Sequence, residues 1–269
     1  MIVIEIHGYV EPHTSFAVPT SVRVYAMCFP FDAIVPDLPP GLAVIAGGAA
    51  GERHTLTSAD GTEFSAYLAR AEGPTGVVVL PDIRGLFRFY EELAERFAAA
   101  GHPAIAIDYF GRTAGLGPRD EDFEFRPHVE QSTPAHVALD VAAAIEALGT
   151  ERVVTVGFCF GGSMSFLQAT EGHSHLAGAV GFYGGLAKRG VIERAPRALV
   201  PVLGLFGGDD ESIPPDQIQA FDAALPVEHE IKVYEGAPHS FFDRRAEQYA
   251  DESRDAWERI LGFIAKLES

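Results

Sequence analysis

The run Arg152-Val-Val-Thr-Val-Gly157-Phe158-Cys159-Phe160-Gly161-Gly162 changes character at its cysteine. Arg152 to Phe158 is apolar and rich in β-branched residues, the pattern of a strand buried on both faces. Ser163 to Thr170 reads as part of the helix that follows, so Cys159 stands where strand gives way to helix. A residue on so sharp a turn projects above the sheet, and the turn closes only if the positions two before and two after it are very small. Gly157 and Gly161 meet that demand. The helix that starts beside Cys159 adds a positive dipole end, which favours thiolate over thiol, and it offers the Phe160 amide N–H to an oxyanion. The plainer reading is a buried cysteine beside a glycine turn. The coincidence of the small-x-Cys-x-small pattern with the strand-to-helix junction favours the nucleophile.

Outward from this turn the chain alternates. His54–Ala59 and Glu63–Ala69 read as a hairpin turned at Ala59, Asp60 and Gly61. Gly76–Asp82 and Pro103–Phe110 read as buried strands on either side of an amphipathic helix, Phe87 to Ala100, that Gly101 ends. Gly111 to Thr133 is polar and aperiodic, an excursion over one face of the sheet. A helix over Ala135–Leu148, strands within Leu176–Gly184, Val200–Gly207 and Glu228–Glu235, and a closing helix over Asp251–Leu267 complete the order. Apolar strands alternating with helices predict an α/β fold, a mostly parallel sheet with helices on both faces. Residues 1–52, broken by Pro12, Pro19, Pro30, Pro36, Pro39 and Pro40, read as an N-terminal extension, a strap or a flap, ahead of a domain over 53–269. The glycines from Gly47 to Gly51 are not a phosphate loop, because no Lys-Ser or Lys-Thr follows.

The 269 residues carry 38 acidic and 20 basic side chains, a net charge of −18 that repels nucleic acid and anionic membrane surfaces. A small-molecule partner fits better. Two cysteines, Cys28 and Cys159, do not make a disulfide scaffold, and the reading is a reducing, cytoplasmic setting. No apolar run approaches the roughly 18 residues that span a bilayer.

In α/β-hydrolases the order along the chain is nucleophile, acid, histidine. His239, in Glu235-Gly-Ala-Pro-His-Ser-Phe-Phe-Asp243, lies after a strand and shortly before the closing helix, where the base of such a set belongs. The strand before it ends in Asp209, Asp210 and Glu211. The sequence does not choose among the three, and two of them suit a cap for the helix near Pro215.

From about His54 to its end, about four fifths of its length, the chain resembles the dienelactone hydrolase family. The resemblance rests on the Gly-x-Cys-x-Gly-Gly turn, Gly207-Gly-x-Asp210-x-x-Ile213-Pro214, His239-Ser-Phe and the aromatic closing helix. It implies the α/β-hydrolase fold, Asp210 as the acid, and Ile83 N–H beside Phe160 N–H as oxyanion donors. It also places a carboxylate at Asp82, where the family has a glutamate that takes the thiol proton when substrate binds; the plainer role is a carboxylate capping the turn after the strand. Arginines bind the substrate carboxylate in the family. Arg244 lies near such a position but displaced by one, with Asp243 where the arginine is expected, and Arg126 and Arg119 in the excursion are further candidates. The implied activity is carboxymethylenebutenolidase-type hydrolysis of a lactone or activated ester through an acyl-enzyme thioester, with no metal or organic cofactor, in a monomer or small homo-oligomer. A general esterase or thioesterase on the same residues, a thiol redox module and a non-catalytic binding module remain open.

Overall fold

The computed structural model describes residues 33–40 and 50–269. Cys28 and most of the predicted extension over 1–52 lie outside the described residues. Within 33–40, Val35 is buried, and the Trp257 indole N–H donates to the Pro36 carbonyl at 3.2 Å.

Eight strands form one sheet: β1 Glu52–Thr57, β2 Glu63–Ala69, β3 Thr75–Leu80, β4 Ala104–Ile107, β5 Arg152–Phe158, β6 Leu176–Phe182, β7 Val202–Gly207 and β8 His229–Tyr234. Their order is β1-β2-β4-β3-β5-β6-β7-β8, with β1–β2 and β2–β4 antiparallel and the other pairs parallel. Strand β2 alternates between buried and less buried positions, whereas β3 and β7 are buried throughout, as expected of central parallel strands covered on both faces.

The helices are α1 Arg88–Ala99, α2 Gly111–Ala114, α3 Arg126–Gln131, α4 Pro134–Leu148, α5 Phe160–Gln168, α6 Val191–Arg194, α7 Pro215–Ala224 and α8 Ala250–Glu268. The 111–133 excursion thus carries two short helices that its aperiodic composition hid. Phe97 of α1 meets Trp257 of α8 edge to face at 4.9 Å, and Phe166 of α5 meets Phe221 of α7 at 4.7 Å. Each ring is buried, a contribution of roughly 1.5–3 kcal/mol apiece. Among the described residues no helix is long and apolar enough to cross a membrane.

Two contacts fix the end of β5. A Cβ on Gly157 would stand closer than 3.0 Å to the Gly161 carbonyl, and one on Gly161 would do the same to the carbonyls of Leu80 and Pro81. These neighbours are backbone and cannot step aside. Gly161→Ala is therefore expected to destabilise the fold by about 3 kcal/mol, the upper end of ordinary overpacking. By contrast Gly262→Ala, on α8 with open space around it, should stabilise by roughly 0.5–1 kcal/mol. Urea unfolding of both variants checks this pair of opposite signs.

Candidate active site

Strand β5 ends at Phe158 and α5 begins at Phe160, so Cys159 alone carries the reversal, with φ 53° and ψ −110°. A positive φ at a residue with a side chain costs about 1–3 kcal/mol and persists only where surrounding structure holds it. The hold is visible: Cys159 N–H donates to the Phe182 carbonyl at 3.1 Å, Gly161 N–H to Pro81 at 3.1 Å, and Ser163 N–H to the Cys159 carbonyl at 3.1 Å. Cys159 is a free thiol, partly exposed, at the C-terminal edge of the sheet. The Phe160 amide is the first of its helix and has no intrahelical acceptor.

His239 lies on the loop after β8 and Asp210 on the loop after β7, and backbone joins the two loops. Asp209 N–H donates to the Ala237 carbonyl at 3.0 Å and Gly208 N–H to Tyr234 at 2.8 Å. His239 Nδ1 meets Asp210 Oδ2 at 2.6 Å. The other carboxylate oxygen accepts from Ser212 N–H at 2.9 Å and from Ser212 Oγ at 2.5 Å. Asp210 is buried while Asp209 and Glu211 are exposed, so of the three acids left open by the sequence, Asp210 is the one at the histidine. Ser212 was not anticipated; its signal is the Asp-x-Ser spacing of a side-chain-capped turn.

The protonation pattern follows. Burial alone would lower the His239 pKa, but the Cys159 charge, hydrogen bonds to Asp210 and Cys159, and the Asp210 charge together raise it to about 10. Burial would raise Asp210, yet the hydrogen bond and charge of His239 and the two bonds from Ser212 hold its carboxyl below the usual range. His239 is thus held as imidazolium beside an ionised Asp210.

Beside it lies a buried cluster of charge. The Asp82 carboxylate is fully enclosed and accepts from Arg84 N–H at 2.8 Å, Arg84 Nε at 3.2 Å and Arg84 Nη2 at 3.1 Å; Arg244 Nη2 is 3.5 Å away. Asp82 thus accepts from the amide of its own turn and is gripped by the Arg84 guanidinium. The Arg84 guanidinium also stacks on Phe87 at 4.1 Å. Buried Asp243 accepts from Tyr90 Oη at 3.3 Å, and Arg244 Nε stands 3.9 Å from it. Burial pushes the Asp243 carboxyl up, opposed by Arg244 and reinforced by Asp82. Tyr183, at φ 36°, packs its ring 4.9 Å from that of His239. Tyr109 donates to the carbonyls of Pro81 and Asp82, pinning the strand end that presents Ile83. Neither tyrosine carries a sequence signal of its own.

The arginines of the excursion are elsewhere. Arg119 is buried against Asp108 at 2.8 Å and stacks on Phe123, and Arg126 is exposed at the start of α3. Arg189, which the sequence did not single out, lies over the Phe160 ring at 4.7 Å and donates to the Ser132 and Val129 carbonyls at 2.8 and 3.0 Å. A separate cavity of 350 Å³, lined by Ile145, Glu146, Thr150, His173, Ser174 and His175, lies at the opposite end of the sheet. Among the described residues no group of three His, Cys, Asp or Glu is placed to hold a metal ion.

Comparison with known proteins shows the family. Residues 64–267 match the model of the dienelactone hydrolase family. A carboxymethylenebutenolidase from Pseudomonas putida is 30% identical over 237 residues, covering 80% of this chain and 96% of that one. A crystal structure from Klebsiella pneumoniae subsp. pneumoniae MGH 78578, provisionally assigned as a dienelactone hydrolase, superposes with a TM-score of 0.67 at 30% identity over 81% of this chain and 99% of that one. A dienelactone hydrolase-like promiscuous phosphotriesterase from metagenomic libraries shares the fold, with a TM-score of 0.63 at 24% identity over 81% of this chain and 99% of that one.

The raised His239 pKa gives a signed prediction. Stability from its protonated form is present in full below the ordinary value of 6.5 and is lost as pH rises through about 10. An imidazole NMR titration should show His239 protonated until that range. Cys159→Ala removes the largest raising influence, so the midpoint should fall, and an unchanged midpoint would mean that the thiolate does not hold the proton.

Proposed function

The chain belongs to the dienelactone hydrolase family, and from that premise we propose that it cleaves a lactone or activated ester with Cys159 as nucleophile, His239 as acid and base, and Asp210 as the orienting carboxylate. The observation that carries this reading is Cys159 on a strained strand-to-helix turn, electrostatically coupled to a histidine whose Nδ1 meets Asp210 at 2.6 Å. Family membership makes it a hydrolase acting on ester bonds; the thiol mechanism and the residue roles are our reading.

The thiolate attacks the carbonyl carbon, and the electron pair moves to the carbonyl oxygen, which Ile83 N–H and Phe160 N–H receive. A donor of this kind is worth about 10²–10³ in rate. Collapse forms the thioester and expels the alkoxide or enolate, which takes the proton from His239. Water then gives a proton to His239 as it attacks the thioester, and the thiolate leaves with its partner restored as imidazolium. A thiolate is itself a good leaving group, so the first intermediate goes forward only when the substrate's leaving group is better. That favours enol lactones, activated esters and thioesters over amides.

Asp82 enters this scheme as a positioning residue. Its carboxylate is held by Arg84 and approached by Arg244, which leaves His239 to take the thiol proton. A free thiolate requires a reducing setting, which fits a cytoplasmic enzyme. The thiol-switch and binding-module alternatives differ in requiring no turnover.

Steady-state hydrolysis of a dienelactone and of an activated aryl ester, by wild type and by Cys159→Ala, tests the mechanism. Turnover lost by at least about 10³-fold in the variant supports the nucleophile, and turnover of the aryl ester alone keeps the chemistry while rejecting the namesake substrate. Activity that survives Cys159→Ala overturns the mechanism. Asp210→Asn should lower kcat by about 10²–10⁴ by releasing the histidine from its orientation.

A further inference from the structure

Two guanidiniums are buried next to the nucleophile, and both already have carboxylates. Arg84 grips Asp82 through Nε and Nη2 at 3.2 and 3.1 Å, and Arg244 stands 3.5 Å from Asp82 and 3.9 Å from Asp243. Of the four, Asp82 is fully enclosed, Asp243 is 2% exposed, and the arginine side chains are 6% and 10% exposed, so bulk water does little to screen them. Tyr183, whose charge environment includes Asp243 and Arg244, packs its ring against that of His239. Two positive and two negative charges sum to zero. Around the cluster the chain carries a net charge of −18. Arg189, beyond the Phe160 ring, is turned to backbone carbonyls at the end of α3.

We propose that this site takes electrically neutral esters and lactones and rejects those with a carboxylate on the acyl part, because Asp82 and Asp243 occupy the two guanidiniums that would otherwise bind it. The proposal rests on the hydrolase reading above and specifies its substrate class. Asp243 is the specificity-determining residue: it stands in the loop of His239, and it supplies the second negative charge that brings the cluster to zero.

Alkylation of Cys159 reads the charge of the site without requiring turnover. The rates with iodoacetamide and with iodoacetate, measured at pH 8 by mass spectrometry of the Cys159 peptide, give a ratio to compare with that of 2-mercaptoethanol. Wild type should favour the neutral reagent at least as strongly as the free thiol does. Asp243→Asn, and independently Asp82→Asn, should shift the ratio toward iodoacetate by about tenfold, since each leaves one guanidinium charge uncompensated at short range. A wild-type ratio that favours iodoacetate, or folded variants that leave the ratio unchanged, overturns the proposal. In parallel, p-nitrophenyl hexanoate should be hydrolysed at least about tenfold faster than p-nitrophenyl hydrogen adipate, which differs by one carboxylate, and equal rates would overturn the selectivity. If neither ester is turned over while the alkylation ratios behave as expected, the hydrolase reading fails and the charge assignment stands.

Discussion

The constraint on which the site depends is the approach of the turn after β5 to the end of β3. Gly161 lies against the Leu80 and Pro81 carbonyls, and its own N–H donates to Pro81. Nothing larger than hydrogen fits at that position. This contact closes the turn in which Cys159 holds its positive φ. The strain at Cys159 is a small debit against a large buried sheet, and it is held by bonds to Phe182 on one side and Pro81 on the other. Strand pairing β3–β5–β6 is therefore what sets the nucleophile in place.

Around that turn the protein encloses more charge than a core usually tolerates. An isolated buried carboxylate costs several kcal/mol, and the cost is offset only when partners and hydrogen bonds are complete. Asp82 meets the condition with a backbone N–H and guanidinium groups, and Asp108 does so through Arg119 and the amides of Leu86 and Phe110. The aromatic rings of Phe87, Tyr90, Phe158 and Phe182 exclude water from the same region, which strengthens each of those pairs. Charge balance and dryness thus arise together: the site could not be this apolar unless its arginines were already matched.

Much of the fold was legible because its signals are local. The apolar runs of β3, β5 and β7, the hairpin turn at Asp60 and Gly61, and the apolar stripes of α1 and α8 each lie within one window of sequence. The two glycines flanking Cys159 marked the nucleophile candidate for the same reason. What the sequence could not show depends on pairs far apart in the chain. The choice of Asp210 over Asp209 and Glu211 is made by which one faces the His239 loop, 29 positions away. The Tyr90–Asp243 and Arg244–Asp82 contacts span 153 and 162 positions, and no periodicity records them. Tyr109, Tyr183 and Arg189 read as an ordinary strand end and loop until the strands are laid side by side.

The long-range pairs also explain why a shorter carboxylate at Asp82 is compatible with thiol chemistry. One methylene shorter than glutamate, Asp82 can bond the N–H of its own turn at Arg84, and that bond fixes its oxygens toward the guanidinium. A carboxylate so held is turned to its arginine, and in the proposed mechanism the thiol proton goes to His239. The histidine is equipped for it, because Asp210 is itself fixed by Ser212 and faces Nδ1 at 2.6 Å. On that reading substrate selection is separated from nucleophile activation: the first would belong to the Asp82–Arg84–Arg244–Asp243 cluster and the second to the Asp210–His239–Cys159 line, on whose histidine ring Tyr183 packs.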